Sequence, residues 1–130
     1  MSLEAALRTY VLADAAIAAA VGTRMYPRSA PQSPTLPLLV YQRIDTRRGH
    51  DLGGPDGLPR TRVQITVWAA GVQSAVDTAA LVRKRLDGFR GKWGTVTVGS
   101  CLCVGERDTD DPQTGRAGVG HDYMIQYQEE

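Results

Sequence analysis

Nine residues, Thr61 to Ala69, alternate without a break: Val63, Ile65, Val67 and Ala69 on one side, Arg62, Gln64, Thr66 and Trp68 on the other. A period of two residues marks a half-buried strand, because successive side chains point to opposite faces. The odd-numbered set is the face expected to be buried. Such a strand belongs in an antiparallel sheet with one face packed and one face wetter. The rest of the chain must then supply whatever covers the apolar side.

Leu38 to Asp45 reads as the partner strand, with Val40, Gln42 and Ile44 on one face and Leu39, Tyr41 and Arg43 on the other. Between the two lies Thr46 to Arg60, broken by Gly49, Gly53, Gly54, Pro55, Gly57 and Pro59. The pair is expected to form a hairpin with a long, flexible tip at 46–60. Loops of about 12–15 residues without structure of their own are uncommon and usually functional. Upstream, residues 22–37 carry Pro27, Pro31, Pro34 and Pro37. That density excludes a helix and most strand pairing, leaving an extended arm pinned by Met25, Tyr26 and Leu36.

Three helices are expected to cover the sheet. Residues 3–12 place Leu3, Leu7, Tyr10 and Val11 on one stripe. Asp14 can cap a second, short helix from Ala15 to Val21, with Gly22 as its stop. Residues 72–88 carry the stripe Ala75, Ala79, Val82, Leu86 and Phe89, widened by Val76 and Ala80 and ended at Gly88 or Gly91. Thr95 to Val104 alternates again through Val96, Val98, Ser100, Leu102 and Val104. After a charged turn, Glu106 to Asp111, the strand Asp122 to Gln128 puts Tyr123, Ile125 and Tyr127 on one face. The expected fold is α+β, an antiparallel sheet of about four strands in two hairpins with helices on one face, in the order α-α-β-β-α-β-β. One domain, 1–130, accounts for the chain, with no internal repeat.

Composition narrows the function. Fifteen basic residues against fourteen acidic ones give a net charge of +1, too little for a protein that binds nucleic acid with its whole surface. Met1-Ser2-Leu3-Glu4 lacks a basic leader region and the run Ala13 to Val21 is too short to span a bilayer. The expectation is a soluble protein without membrane contact. Cys101 and Cys103, two apart on a strand, face the same way and read as small buried or half-buried hydrophobes rather than a disulfide or half of a metal site. No cofactor is implied.

Catalytic signatures are missing. No phosphate loop, nucleophile elbow or H-E-x-x-H motif is present. Asp108, Asp110 and Asp111 lack the glycine and closing glutamate of a calcium loop, and read as a solvated turn. His50 and His121 have no nucleophile beside them in sequence. What does stand out is the charge around the long loop: Arg43, Arg47, Arg48, His50, Asp51, Arg60 and Arg62, with Asp45 and Asp56 interspersed. Both signs are present, which suits a protein–protein interface better than a nucleic-acid groove. A small DNA-binding module using these arginines stays open as an alternative.

Several segments, taken in order, resemble one family. These are Ser2-Leu3-Glu4-Ala5-Ala6-Leu7, Leu12-Ala13-Asp14, Val21 to Pro27, Pro37 to Ile44, Arg62 to Ala69, Val82 to Gly88 and Glu106-Arg107-Asp108. Together they are similar to the tail-completion (tail terminator, tail-to-head joining) proteins of long-tailed phages, prophages and gene transfer agents. The resemblance implies an α+β subunit of a ring, commonly a hexamer, at the head-proximal end of the tail tube. Such a ring stops tube polymerisation and joins the tail to the head, with the tube protein and head–tail connector proteins as partners. It implies a virion protein assembled in the host cytoplasm, without catalytic residues, whose lumen lets DNA pass without specific binding. The loop at 46–60 and its flanking charges are then the expected subunit or tube contacts. A head-completion or neck adaptor protein is the neighbouring alternative.

Overall fold

A computed structural model describes residues 2–55 and 57–128; Asp56, one of the loop's acidic residues, lies outside them. Helix α1 spans Leu3–Leu12 and begins where the Ser2 hydroxyl accepts the Ala5 N–H at 3.1 Å. It buries Leu3, Ala6, Leu7 and Val11. Asp14 separates it from α2, Ala15–Val21, by accepting the N–H groups of Ala16 and Ile17 at 2.9 and 3.1 Å. The cap ends one helix and starts another because its carboxylate satisfies amides left without intrahelical partners. Gly22 closes α2 with φ of 61°, a conformation that glycine adopts at no steric cost.

The main sheet has six strands rather than about four: β1 Met25–Pro27, β2 Leu38–Arg47, β5 Arg60–Ala69, β6 Phe89–Trp93, β7 Val96–Asp108 and β8 Ala117–Gln128, in the spatial order β1-β2-β5-β8-β7-β6. Both expected hairpins form, β2 with β5 and β7 with β8. The two additional strands lie at the edges. β1 pairs parallel to β2, so the proline-rich segment does contribute a strand, for three residues ending at Pro27. An edge position tolerates this, since a proline there forfeits no interior ladder bond. β6 starts where Gly88, at φ of 83°, turns the chain back from the helix, and its amide donates to the Cys101 carbonyl at 2.7 Å.

Helix α3, Val72–Leu86, lies across β5 and β8. Its buried residues are Ala75, Thr78, Ala79, Val82 and Leu86. Thr78 thus replaces Val76, which is 45% exposed. At about 100° per residue, Val76 falls a quarter-turn outside the stripe while Thr78 stays within it. Phe89 leaves the helix yet still packs, at 4.7 Å from the Tyr10 ring and 5.4 Å from Trp93.

Strand β7 departs most from simple alternation. Val96 and Val98 point into the core, but the register shifts between Val98 and Ser100, and Cys101 becomes the next core residue. One extra residue at Gly99 reverses the phase. Leu102 and Val104 are consequently turned outward, 50% and 48% exposed, while Cys101 is buried and Cys103 half-buried. Glu106, Arg107 and Asp108 belong to the strand, not to the turn. β8 likewise begins five residues earlier than the pattern suggested, at Ala117 instead of Asp122, because Gly118 and Gly120 carry no hydropathy signal.

Candidate assembly interface

The helices cover one face of the sheet, over Val63, Ile65, Val67, Val119, Tyr123 and Ile125. The opposite face is where most of the loop's flanking charges emerge. Register sets Arg47 directly across from Arg60, and Asp45 across from Arg62. Beyond Arg47 the tip is not a bare loop: His50–Asp51 (β3) and Gly54–Pro55 (β4) pair as a two-stranded ribbon. Asp51 accepts the Gly53 N–H at 2.8 Å and shapes its turn. Leu52 stands at the end of this arm, wholly exposed.

The seven charged residues singled out in the sequence therefore divide. Arg47, Arg48, His50, Asp51 and Arg60 surround the arm, all exposed. Arg43 forms an ion pair with Glu4 of α1. Arg62 binds the Asp122 carboxylate through Nε and Nη2, at 3.1 and 2.8 Å. Asp122 also accepts from Arg107 at 3.2 Å, so one carboxylate is held between two guanidiniums. Its burial would raise its pKa, but the hydrogen bonds and charges of Arg62 and Arg107 outweigh that and hold it below the usual aspartate value. Arg107 lies over Gly120, where an added Cβ would fall 3.6 Å from it. Sequence reading missed this triad because its members come from three strands.

The acidic turn after β7 is tightly tied. Thr109 N–H donates to the Gly118 carbonyl at 2.9 Å, Asp110 accepts the Gly118 N–H at 3.1 Å, and Asp111 accepts the Gln113 N–H at 3.0 Å. Two of the carboxylates thus bond their own backbone. Beside the turn, a cleft of about 400 Å³ opens between the start of α3 and the turn, lined by Ala70, Gly71, Val72, Pro112 and Ala117 together with Asp110, Asp111 and Arg116. Val72 is 65% exposed there. No motif marks this cleft; an apolar Val72 opening a helix whose inward stripe starts at Ala75 is the one signal available.

The histidines differ. His50 is on the arm, whereas His121 is buried in the middle of β8 rather than leading into it. Its Nδ1 is 3.4 Å from the Tyr123 hydroxyl; Nε2 lies 3.6 Å from a Glu106 oxygen, too far for a hydrogen bond. Burial pushes the Cys101 thiol up to about 12, with Asp87 and Cys103 adding to the effect, so it stays protonated and inert. Among the described residues, no group of three or more His, Cys, Asp or Glu side chains is placed to hold a metal ion. No helix among them is long and apolar enough to cross a membrane.

Comparison with known proteins adds two findings. A family model described as tail completion protein gp17 matches residues 5–128. Among solved structures, the fold is similar to that of a chain in the virion of a native gene transfer agent particle. The TM-score is 0.81 at 21% identity, over 98% of this chain and 96% of that one. No curated protein matches the sequence.

Proposed function

The chain belongs to the tail completion protein gp17 family, and from that premise we propose that it is a ring-forming tail terminator. In this reading, copies assemble as a ring, a hexamer being the expected size, on the head-proximal end of the tail tube. The ring stops tube growth and presents the surface that receives the head. The observation that carries the reading is the family match, which runs from α1 to the end of β8 and includes the arm. The similar chain in a gene transfer agent virion supports a place in the particle.

The geometry favours protein contacts over nucleic acid. Arg43 and Arg62 are committed to Glu4 and Asp122, so the basic cluster available to a phosphate backbone is smaller than the sequence suggests. An exposed leucine at the end of a ribbon is a feature that a DNA groove does not need and a protein interface does. Electron microscopy of particles made without this protein tests the role. Tails of uncontrolled length are the expected result. Free tails of normal length beside full heads would instead assign the chain to the head side of the neck. A steeply salt-dependent affinity for DNA would favour the binding-module alternative.

A further inference from the structure

The arm and the cleft lie at opposite ends of one strand. β5 leaves the arm at Arg60 and ends at Ala69, next to Ala70 and Val72 of the cleft. Its ten residues span about 30 Å at the usual rise of ~3.3 Å per residue. Leu52 is five residues beyond Arg47, which pairs with Arg60, so it lies at most about 17 Å from that end of β5 and cannot reach the cleft of its own chain. Each is nonetheless incomplete alone. A two-stranded ribbon is marginal in water by itself, and this one carries Leu52 with no surface shielded. The cleft exposes Val72, and Val76 one turn along α3 continues its apolar edge.

Charge adds direction. Arg47 and Arg60 stand directly opposite each other at the base of the arm, a like-charge pair that costs stability unless an anion approaches. Asp45, 3.8 Å from Arg47, offsets it in part. The cleft carries Asp110 and Asp111 against the single Arg116.

We propose that the arm of one copy seats in the cleft of the next, with Leu52 against Ala70, Val72 and Pro112 and the arginine pair toward Asp110 and Asp111. This rests on the ring reading and deepens it by naming the two surfaces of the subunit contact. Because the surfaces differ, the contact is heterologous: it links copies head to tail and closes as a ring when the rotation allows.

Crosslinking the assembled oligomer decides the matter. In a Cys103→Ser background, Leu52→Cys with Val72→Cys and a short bismaleimide is expected to give a covalent ladder between copies, absent in either single variant. An oligomer that forms without a ladder overturns the proposal. Leu52→Asp and Val72→Asp are each expected to weaken association by at least tenfold in analytical ultracentrifugation, with the melting temperature of the dissociated chain, measured at dilution, unchanged. Their equimolar mixture should stop at dimers, since only one intact arm can meet one intact cleft. Rings that persist in either variant overturn the contact while leaving the ring reading in place. A Leu52→Asp ring that no longer caps tubes would assign the arm to the tube protein instead, and also overturns it. If the unmodified chain stays monomeric, alone and with tube protein, the ring reading itself falls and takes this inference with it.

Discussion

The two hairpins end in opposite ways. Both tips are rich in Gly, Asp and Pro, and in sequence both read as loops. At the β7–β8 tip the chain uses its polar groups internally: Thr109, Asp110 and Asp111 bond backbone within the turn. At the β2–β5 tip the ribbon carries Leu52 into solvent above a pair of facing arginines. The first tip is held in shape by its own chain, and its held carboxylates line the cleft. The second turns an apolar side chain and a like-charge pair outward, toward whatever approaches it. The difference teaches that composition alone does not separate a turn held by its own chain from an arm that its chain leaves exposed; the accounting of hydrogen bonds and apolar exposure does.

Substitutions can break this contrast, and the largest effect is expected at the pinned end. A Cβ at Gly118 would fall 2.7 Å from the Thr109 carbonyl oxygen and 2.7 Å from Trp68 Cζ3. Gly118→Val should therefore cost about 3 kcal/mol in denaturant unfolding, because backbone must move. Next comes the triad on the helix-free face. Asp122→Ala leaves two half-exposed guanidiniums without their acceptor and should cost about 2 kcal/mol, discounted for solvent screening. The same group sets an acid limit. Its folded pKa is depressed, so its contribution is full above the unfolded value near 3.8 and is lost as pH falls through the lower folded value. Acid titration of Asp122→Ala should lack that loss.

Cys101 gives an effect of similar size at the other end of the pH scale. With its folded pKa raised by burial to about 12, the unfolded thiol ionises first as pH rises above 9.0. Stability should then fall by about 2 kcal/mol between about pH 9 and 10.5, and Cys101→Ala should flatten that slope at some cost in packing. Asp110→Ala, which removes one turn hydrogen bond, should cost about 1 kcal/mol. The smallest effect on the isolated chain is expected at the arm: Leu52→Asp should stay within about 0.5 kcal/mol, as surface changes do. A large loss there would mean that the arm is held by its own domain, and the contrast between the tips would disappear.

Local physics made much of the fold legible. The alternation at Thr61–Ala69, the caps at Asp14 and Gly22, and the stripe through Ala75, Ala79, Val82 and Leu86 depend on neighbours within one or two turns, so the sequence by itself determined them. The arginines and the histidine around the arm were also visible as a charged cluster. Tertiary structure alone decided that Arg43 and Arg62 are engaged, since their partners Glu4 and Asp122 arrive from distant segments. It likewise decided the outward turn of Leu102 and Val104, because a one-residue bulge at Gly99 reverses the phase until a second register shift between Cys103 and Gly105, and neither leaves a mark in hydropathy. The placement of arm and cleft at opposite ends of β5 belongs to the same class. Strand register is set by cross-strand pairing over long sequence separations, and only that pairing fixes which surfaces a single chain can bring together and which it must leave for another.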